Sequence, residues 1–143
     1  MKTGARIDAR KEQGAAAFVG YLPAGFPDTD RGIRAAQELA RAGADIIELG
    51  LPYSDPSMDG GVIQAAGQRA LAGGFRVRDV FRGVEAVANE GAVPLIMTYY
   101  NLIFKYGVDK FARDFANAGG AGLITPDLIP EEAGEWIAAS DEY

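Results

Sequence analysis

Residues 44–61 read Ala44-Asp45-Ile46-Ile47-Glu48-Leu49-Gly50-Leu51-Pro52-Tyr53-Ser54-Asp55-Pro56-Ser57-Met58-Asp59-Gly60-Gly61. The first six have the composition of a parallel strand buried on both faces. A carboxylate is costly in such a strand unless it has a partner or a task, so Glu48 is the first candidate functional residue. Gly50 and Pro52 end the strand, because glycine weakens a ladder and proline cannot donate to one, and the chain through Met58 reads as a surface loop. Asp59 then sits in a loop at the carboxyl end of the strand, the end at which barrels and open α/β sheets bind ligands.

Outward from this stretch, strand-like runs alternate with helical patterns. Strand one is Ala16–Leu22, closed by Pro23-Ala24-Gly25-Phe26-Pro27. A helix starts near Asp28 or Thr29, carries Ile33, Ala36, Leu39 and Ala40 on one face and stops at Gly43. After the quoted strand, a helix runs from about Gly61 to Ala72, Gly73-Gly74 stops it, and another from about Val77 buries Val80, Phe81, Val84 and Val87. Strand three is Val93–Tyr99. A loop at Tyr100-Asn101, a short helical turn and a helix with Phe111, Ala112 and Phe115 on its apolar face follow. Strand four, Gly122–Thr125, stops at Pro126-Asp127, and a last helix begins at Pro130-Glu131-Glu132. Four βα units in this length match the pace of a (β/α)₈ barrel, which takes about 250 residues to close. An open doubly wound sheet of four parallel strands fits the same pattern.

Composition narrows the chemistry. The chain has 143 residues, 48% hydrophobic and 24% charged, enough apolar mass for one domain with a core, and disordered or collagen-like classes are excluded. A net charge of −6 gives no electrostatic footprint for nucleic acid or an anionic membrane. No run approaches the roughly 20 apolar residues of a membrane span, and Met1–Arg6 has no apolar leader core, so a cytoplasmic location is expected. Without cysteine there is no disulfide, thiol nucleophile or thiolate metal site; without histidine there is no serine–histidine triad and no imidazole acid–base or zinc chemistry. Carboxylates, tyrosines and lysines remain.

Several motifs closely resemble the tryptophan synthase α-chain family: Glu48-Leu49-Gly50-Leu51-Pro52-Tyr53-Ser54-Asp55-Pro56, Asp59-Gly60, Ile63-Gln64-Ala65, Met97-Thr98-Tyr99-Tyr100-Asn101 and Pro126-Asp127-Leu128. Their order and spacing match as well, and Pro23–Asp28 belongs to the same pattern, so the resemblance runs from about Gly14 to Glu132. It implies a (β/α)₈ TIM barrel of which residues 1–143 form, as a single domain, the N-terminal half with about the first four βα units. The activity implied is the lyase step of tryptophan biosynthesis, cleavage of indole-3-glycerol phosphate to indole and glyceraldehyde 3-phosphate. The partner implied is a pyridoxal-phosphate β-chain in an α2β2 heterotetramer, with no cofactor or metal on this chain. Gly61 stands where the family usually has proline, and Thr125 and Ile129 where valine and proline are usual. Gly61 is expected to loosen the loop that carries Asp59.

The resemblance also assigns roles. Glu48 is the acid–base residue for the indole carbon and the glycerol hydroxyl, and Asp59 hydrogen-bonds the indole N1–H. Desolvation among Ile46, Ile47 and Leu49 is expected to raise the pKa of Glu48. Read without the family, Glu48 is a strand-end glutamate paired with an arginine or lysine, and Asp59 a turn former before Gly60-Gly61. Tyr99, and more weakly Tyr21, are expected as walls of an indole pocket, although aromatics at strand ends are commonly core. Pro52, Asp55, Pro56, Asn101 and Asp127 are turn chemistry in an unfamiliar protein; the resemblance places them against the β-chain, where Asp55 is expected to couple the two sites. Gly60-Gly61, Gly73-Gly74 and Gly119-Gly120 lack phosphate-loop spacing. The family's phosphate site is built by loops after later strands, so a molecule ending at Tyr143 is expected to turn over little or nothing.

Two other functions compete. A non-catalytic half barrel would self-associate through its open strand edges. Another aldolase or isomerase of phosphorylated sugars would keep the barrel, but no lysine stands at a strand end for Schiff-base chemistry.

Overall fold

The computed structural model describes residues 3–143; Met1 and Lys2, the start of the stretch read above for a leader, lie outside the described residues. Four parallel strands pair in the order β1 (Val19–Pro23), β2 (Ile46–Gly50), β3 (Val93–Met97) and β4 (Gly122–Ile124). A doubly wound sheet reverses its strand order and carries helices on both faces. Here the order follows the chain without reversal. Leu22, Ile47, Leu49, Ile96 and Leu123 all pack into one helical layer with Ala36, Ala40, Val80, Val84, Val87 and Phe111. The alternate residues turn the other way, and Val19, Tyr21 and Ile124 on that face are exposed. One-sided helices on a sequentially ordered parallel sheet are the arrangement of a barrel segment.

The helical layer consists of α2 (Thr29–Arg41), α3 (Gly61–Ala72), α4 (Val80–Asn89), α5 (Tyr100–Tyr106), α6 (Val108–Asn117) and α7 (Gly134–Glu142); α1 is Thr3–Glu12. Asp28 caps α2 by accepting the Arg31 amide at 2.9 Å. Gly20 lets α2 approach β1, since a Cβ there would run into the Leu39 side chain. Phe111 is fully buried at the centre of an aromatic cluster, 5.4 Å from Phe81, 5.8 Å from Tyr106, 6.1 Å from Phe115 and 6.4 Å from Trp136.

Several boundaries differ from the sequence reading. Ala16–Phe18 precedes strand one, and Gly50 is the last residue of β2 rather than its terminator. β3 stops at Met97 and β4 at Ile124. Pro130–Glu132 forms a single 3₁₀ turn ahead of α7, as Val77–Asp79 does ahead of α4. Tyr100 and Asn101 are not a loop: they open α5, and the Tyr100 amide is held by the Asp127 carboxylate at 3.0 and 3.2 Å.

Helix α1 has no counterpart in the sequence reading. It buries no residue fully and is fastened by charge. Asp45, 2% exposed at the amino end of β2, accepts from Arg10 Nε at 2.7 Å and from the Phe18 amide at 3.0 Å, with Arg6 Nη1 at 3.6 Å. The Phe18 amide first, and then the Arg10 guanidinium, hold this carboxyl below the usual carboxylate range.

Candidate active site

The strand register sets Glu48 in a row with Tyr21 of β1 and Leu95 of β3 on the face turned away from the helices. Alternation along β2 gives Glu48 the company of Ile46 and Gly50, while Ile47 and Leu49 point into the helical core. The expectation that all three hydrophobic neighbours desolvate Glu48 is therefore corrected. Partial burial still pushes the Glu48 carboxyl up from its ordinary value. Among the described residues no lysine or arginine lies within 4 Å of it, so the ion pair that would make Glu48 a structural residue does not form. Tyr21 lies mid-strand rather than at the strand end. Partial burial first, then the fields of Asp59, Glu48 and Tyr99, push its phenol up to about 12, although the residue keeps 37% of its surface exposed. Its hydroxyl rests over Gly50, where a Cβ would collide with it.

Asp59 comes to the same end of the sheet from the loop after β2. Its carboxylate does no turn or capping work, and Gly60 caps α3 without a side-chain bond. Instead Tyr99, 2% exposed and just beyond β3, donates its hydroxyl to Asp59 Oδ1 at 3.1 Å and accepts the Met58 amide at 3.0 Å. Gln64 Nε2 donates to the Asp59 carbonyl at 2.8 Å, tying the loop to the first turn of α3. Tyr21, Pro23, Gly50, Pro52, Asp59 and Ile63 line a narrow crevice of about 10 Å³ between these elements, and Glu48 is not among its lining residues. Glu48 offers a carboxyl biased toward holding a proton and Asp59 a fixed acceptor, a pair suited to moving protons on a bound organic molecule. No group of three or more acidic side chains that could hold a metal ion occurs among the described residues.

A family model for the tryptophan synthase alpha chain matches residues 7–142. The chain belongs to the tryptophan synthase alpha-chain family. Relatives of that name are 58% identical in Bifidobacterium longum, covering 99% of this chain and 49% of the relative, and 61% identical in Leifsonia xyli, covering 94% and 52%. A crystal structure of tryptophan synthase from M. tuberculosis superposes with a TM-score of 0.95 at 52% identity, over 97% of this chain and 57% of that one. The alpha subunit from Legionella pneumophila gives 0.91 at 33%, over 97% and 54%. The chain spans about half the length of the curated relatives it matches. Its four-stranded sheet is roughly the first half of the family's TIM barrel.

The five positions that family resemblance sets against a β-chain gather near the same end of the sheet. Pro52 is buried and Pro56 half-buried, while Asp55 is exposed and accepts from the Ser54 hydroxyl at 2.6 Å. Asn101 Nδ2 donates to the Tyr53 hydroxyl at 3.3 Å, and Asp127 holds the start of α5. Sequence reasoning gave no role to Tyr53 or Gln64. Both lie inside the quoted family motifs, and the spacing of five from Asp59 to Gln64 was the one available sign that a first-turn side chain reaches back to the loop.

Proposed function

We propose that the protein carrying this chain is a lyase that cleaves indole-3-glycerol phosphate to indole and glyceraldehyde 3-phosphate. In this reverse aldol step the indole C3 gains a proton, the glycerol hydroxyl beside the scissile bond loses one, and the C3–carbon bond breaks as the aldehyde forms. Glu48 supplies the proton to C3 and receives the hydroxyl proton. Asp59 holds the N1–H and balances the positive charge that grows on the ring, with Tyr99 and Tyr21 as pocket walls. The observation that carries the reading is that a chain of this family holds a partly buried Glu48, unpaired among the described residues, and an Asp59 fixed by Tyr99, both close enough for their fields to act on Tyr21. A carboxyl whose pKa is raised by burial is the usual means of keeping an acid protonated near neutrality.

The same reading assigns the phosphate to loops of later βα units and the indole product to a pyridoxal-phosphate β-chain in an α2β2 complex. The loops that carry Pro52, Asp55, Pro56, Asn101 and Asp127 face that partner, and Asp55 couples the sites. It asks no cofactor of this chain and places the enzyme in the cytoplasm; no described helix is long and apolar enough to cross a membrane. The test is indole release from indole-3-glycerol phosphate by the complete protein. Glu48→Gln and Asp59→Asn should each lower kcat by a factor of about 10²–10⁴. Retention of kcat within tenfold in both variants would overturn the reading.

A further inference from the structure

We propose that Tyr53 is a positioning residue for Asp59, acting through the ring of Tyr99 and itself fixed by Asn101; this rests on the reading of Asp59 given above. The Met58 amide can only donate, so the Tyr99 oxygen accepts that proton and spends its own on Asp59 Oδ1. The direction of the carboxylate thus follows the direction of the Tyr99 phenol. The Tyr53 ring lies against the Tyr99 ring at 5.2 Å between centroids and 33° between planes. Asn101 Nδ2 in turn fixes the Tyr53 hydroxyl from the first turn of α5. The contacts run unbroken from the start of α5 to Asp59: amide to hydroxyl, ring to ring, hydroxyl to carboxylate. Asp127 anchors the far end by holding the Tyr100 amide.

A carboxylate that stabilises charge appearing only in the transition state affects kcat rather than KM when its aim is loosened. Variants of the complete protein are therefore compared by steady-state kinetics with indole-3-glycerol phosphate and by hydrogen exchange of the Met58 amide, which reports Tyr99 without turnover. Tyr53→Leu should lower kcat about tenfold with KM within about twofold, and speed Met58 exchange about tenfold. Tyr53→Phe keeps the ring and should restore kcat to within about threefold of wild type. The proposal is overturned if Tyr53→Leu leaves both kcat and Met58 exchange near wild type, or raises KM alone, as an ordinary pocket wall would. If wild type releases no indole, the reaction reading fails, and unchanged Met58 exchange in Tyr53→Leu would still reject the link from Tyr53 to Tyr99.

Discussion

The Tyr99 hydroxyl stands between Asp59 Oδ1, 3.1 Å away, and the Met58 amide, 3.0 Å away, and ties the end of β3 to the loop after β2 that carries Asp59. Removing it leaves a carboxylate without its donor and a backbone amide without its acceptor. Tyr99→Phe should cost about 1–2 kcal/mol of stability, measured by urea unfolding, and reduce kcat about tenfold with KM nearly constant. Unchanged stability and kcat would mean that water replaces the bridge without loss.

Glu48 carries a stability cost linked to its task. Its folded pKa lies above the ordinary 4.5, so its neutral form suits the fold. The wild type is least penalised below pH 4.5 and loses stability as pH rises through the raised value. Glu48→Gln removes that ionisation. The two proteins should melt together near pH 4, and by pH 8 the Gln variant should melt higher than wild type while losing indole release. Thermal melts across pH check this, and a gap that is constant with pH would refute it.

Physical range decided what the sequence disclosed. The Ile46-Ile47-Glu48-Leu49 run announces a buried parallel strand because both faces of such a strand are apolar, and the oddity of Glu48 is visible in the same four letters. Its neighbours are less visible, because alternation puts Ile47 and Leu49 on the opposite face. Helix α1 has no apolar stripe to announce it, and its anchor, Asp45, lies 35 residues beyond Arg10. The start of α5 reads as a loop in the sequence for a similar reason. Tyr99 at its cap position gives the helix no side-chain capping bond, and the capping carboxylate comes from Asp127, 27 residues beyond Tyr100. Asp59 stands out through family motifs, but its link to Tyr99 crosses 40 residues, over α3, α4 and β3.

The Asp45 clamp gives a second pH dependence of opposite sign. This carboxyl has a depressed folded pKa, so its contribution is present above the ordinary 3.8 and is lost as pH falls through the lowered value. Asp45→Asn keeps the shape but removes the charge facing Arg10 and Arg6, and should free α1 at neutral pH. The expected result is cleavage between Gln13 and Phe18 by a low dose of protease, with a melting temperature lower by several degrees. A variant that resists cleavage as wild type does would show that α1 is held by other means.

Gly61 occupies the first position of α3, after the Gly60 cap. A first-turn amide has no partner within its own helix, so proline there gives up no helical bond. Gly60 already has φ −71° and ψ 163°, the extended conformation that a residue before proline requires. A Cβ at Gly61 meets nothing within 4 Å, and its φ is outside the left-handed region. Gly61→Pro should therefore stabilise by about 0.4–1 kcal/mol, chiefly by restricting the unfolded chain. The melting temperature should rise by about 1–4 °C. The same restriction should steady the loop that presents Asp59, so that hydrogen exchange of the Met58 amide slows in the variant. A lower melting temperature would place the Gly61 backbone outside the range that proline allows, and would make glycine at this position a requirement of the loop.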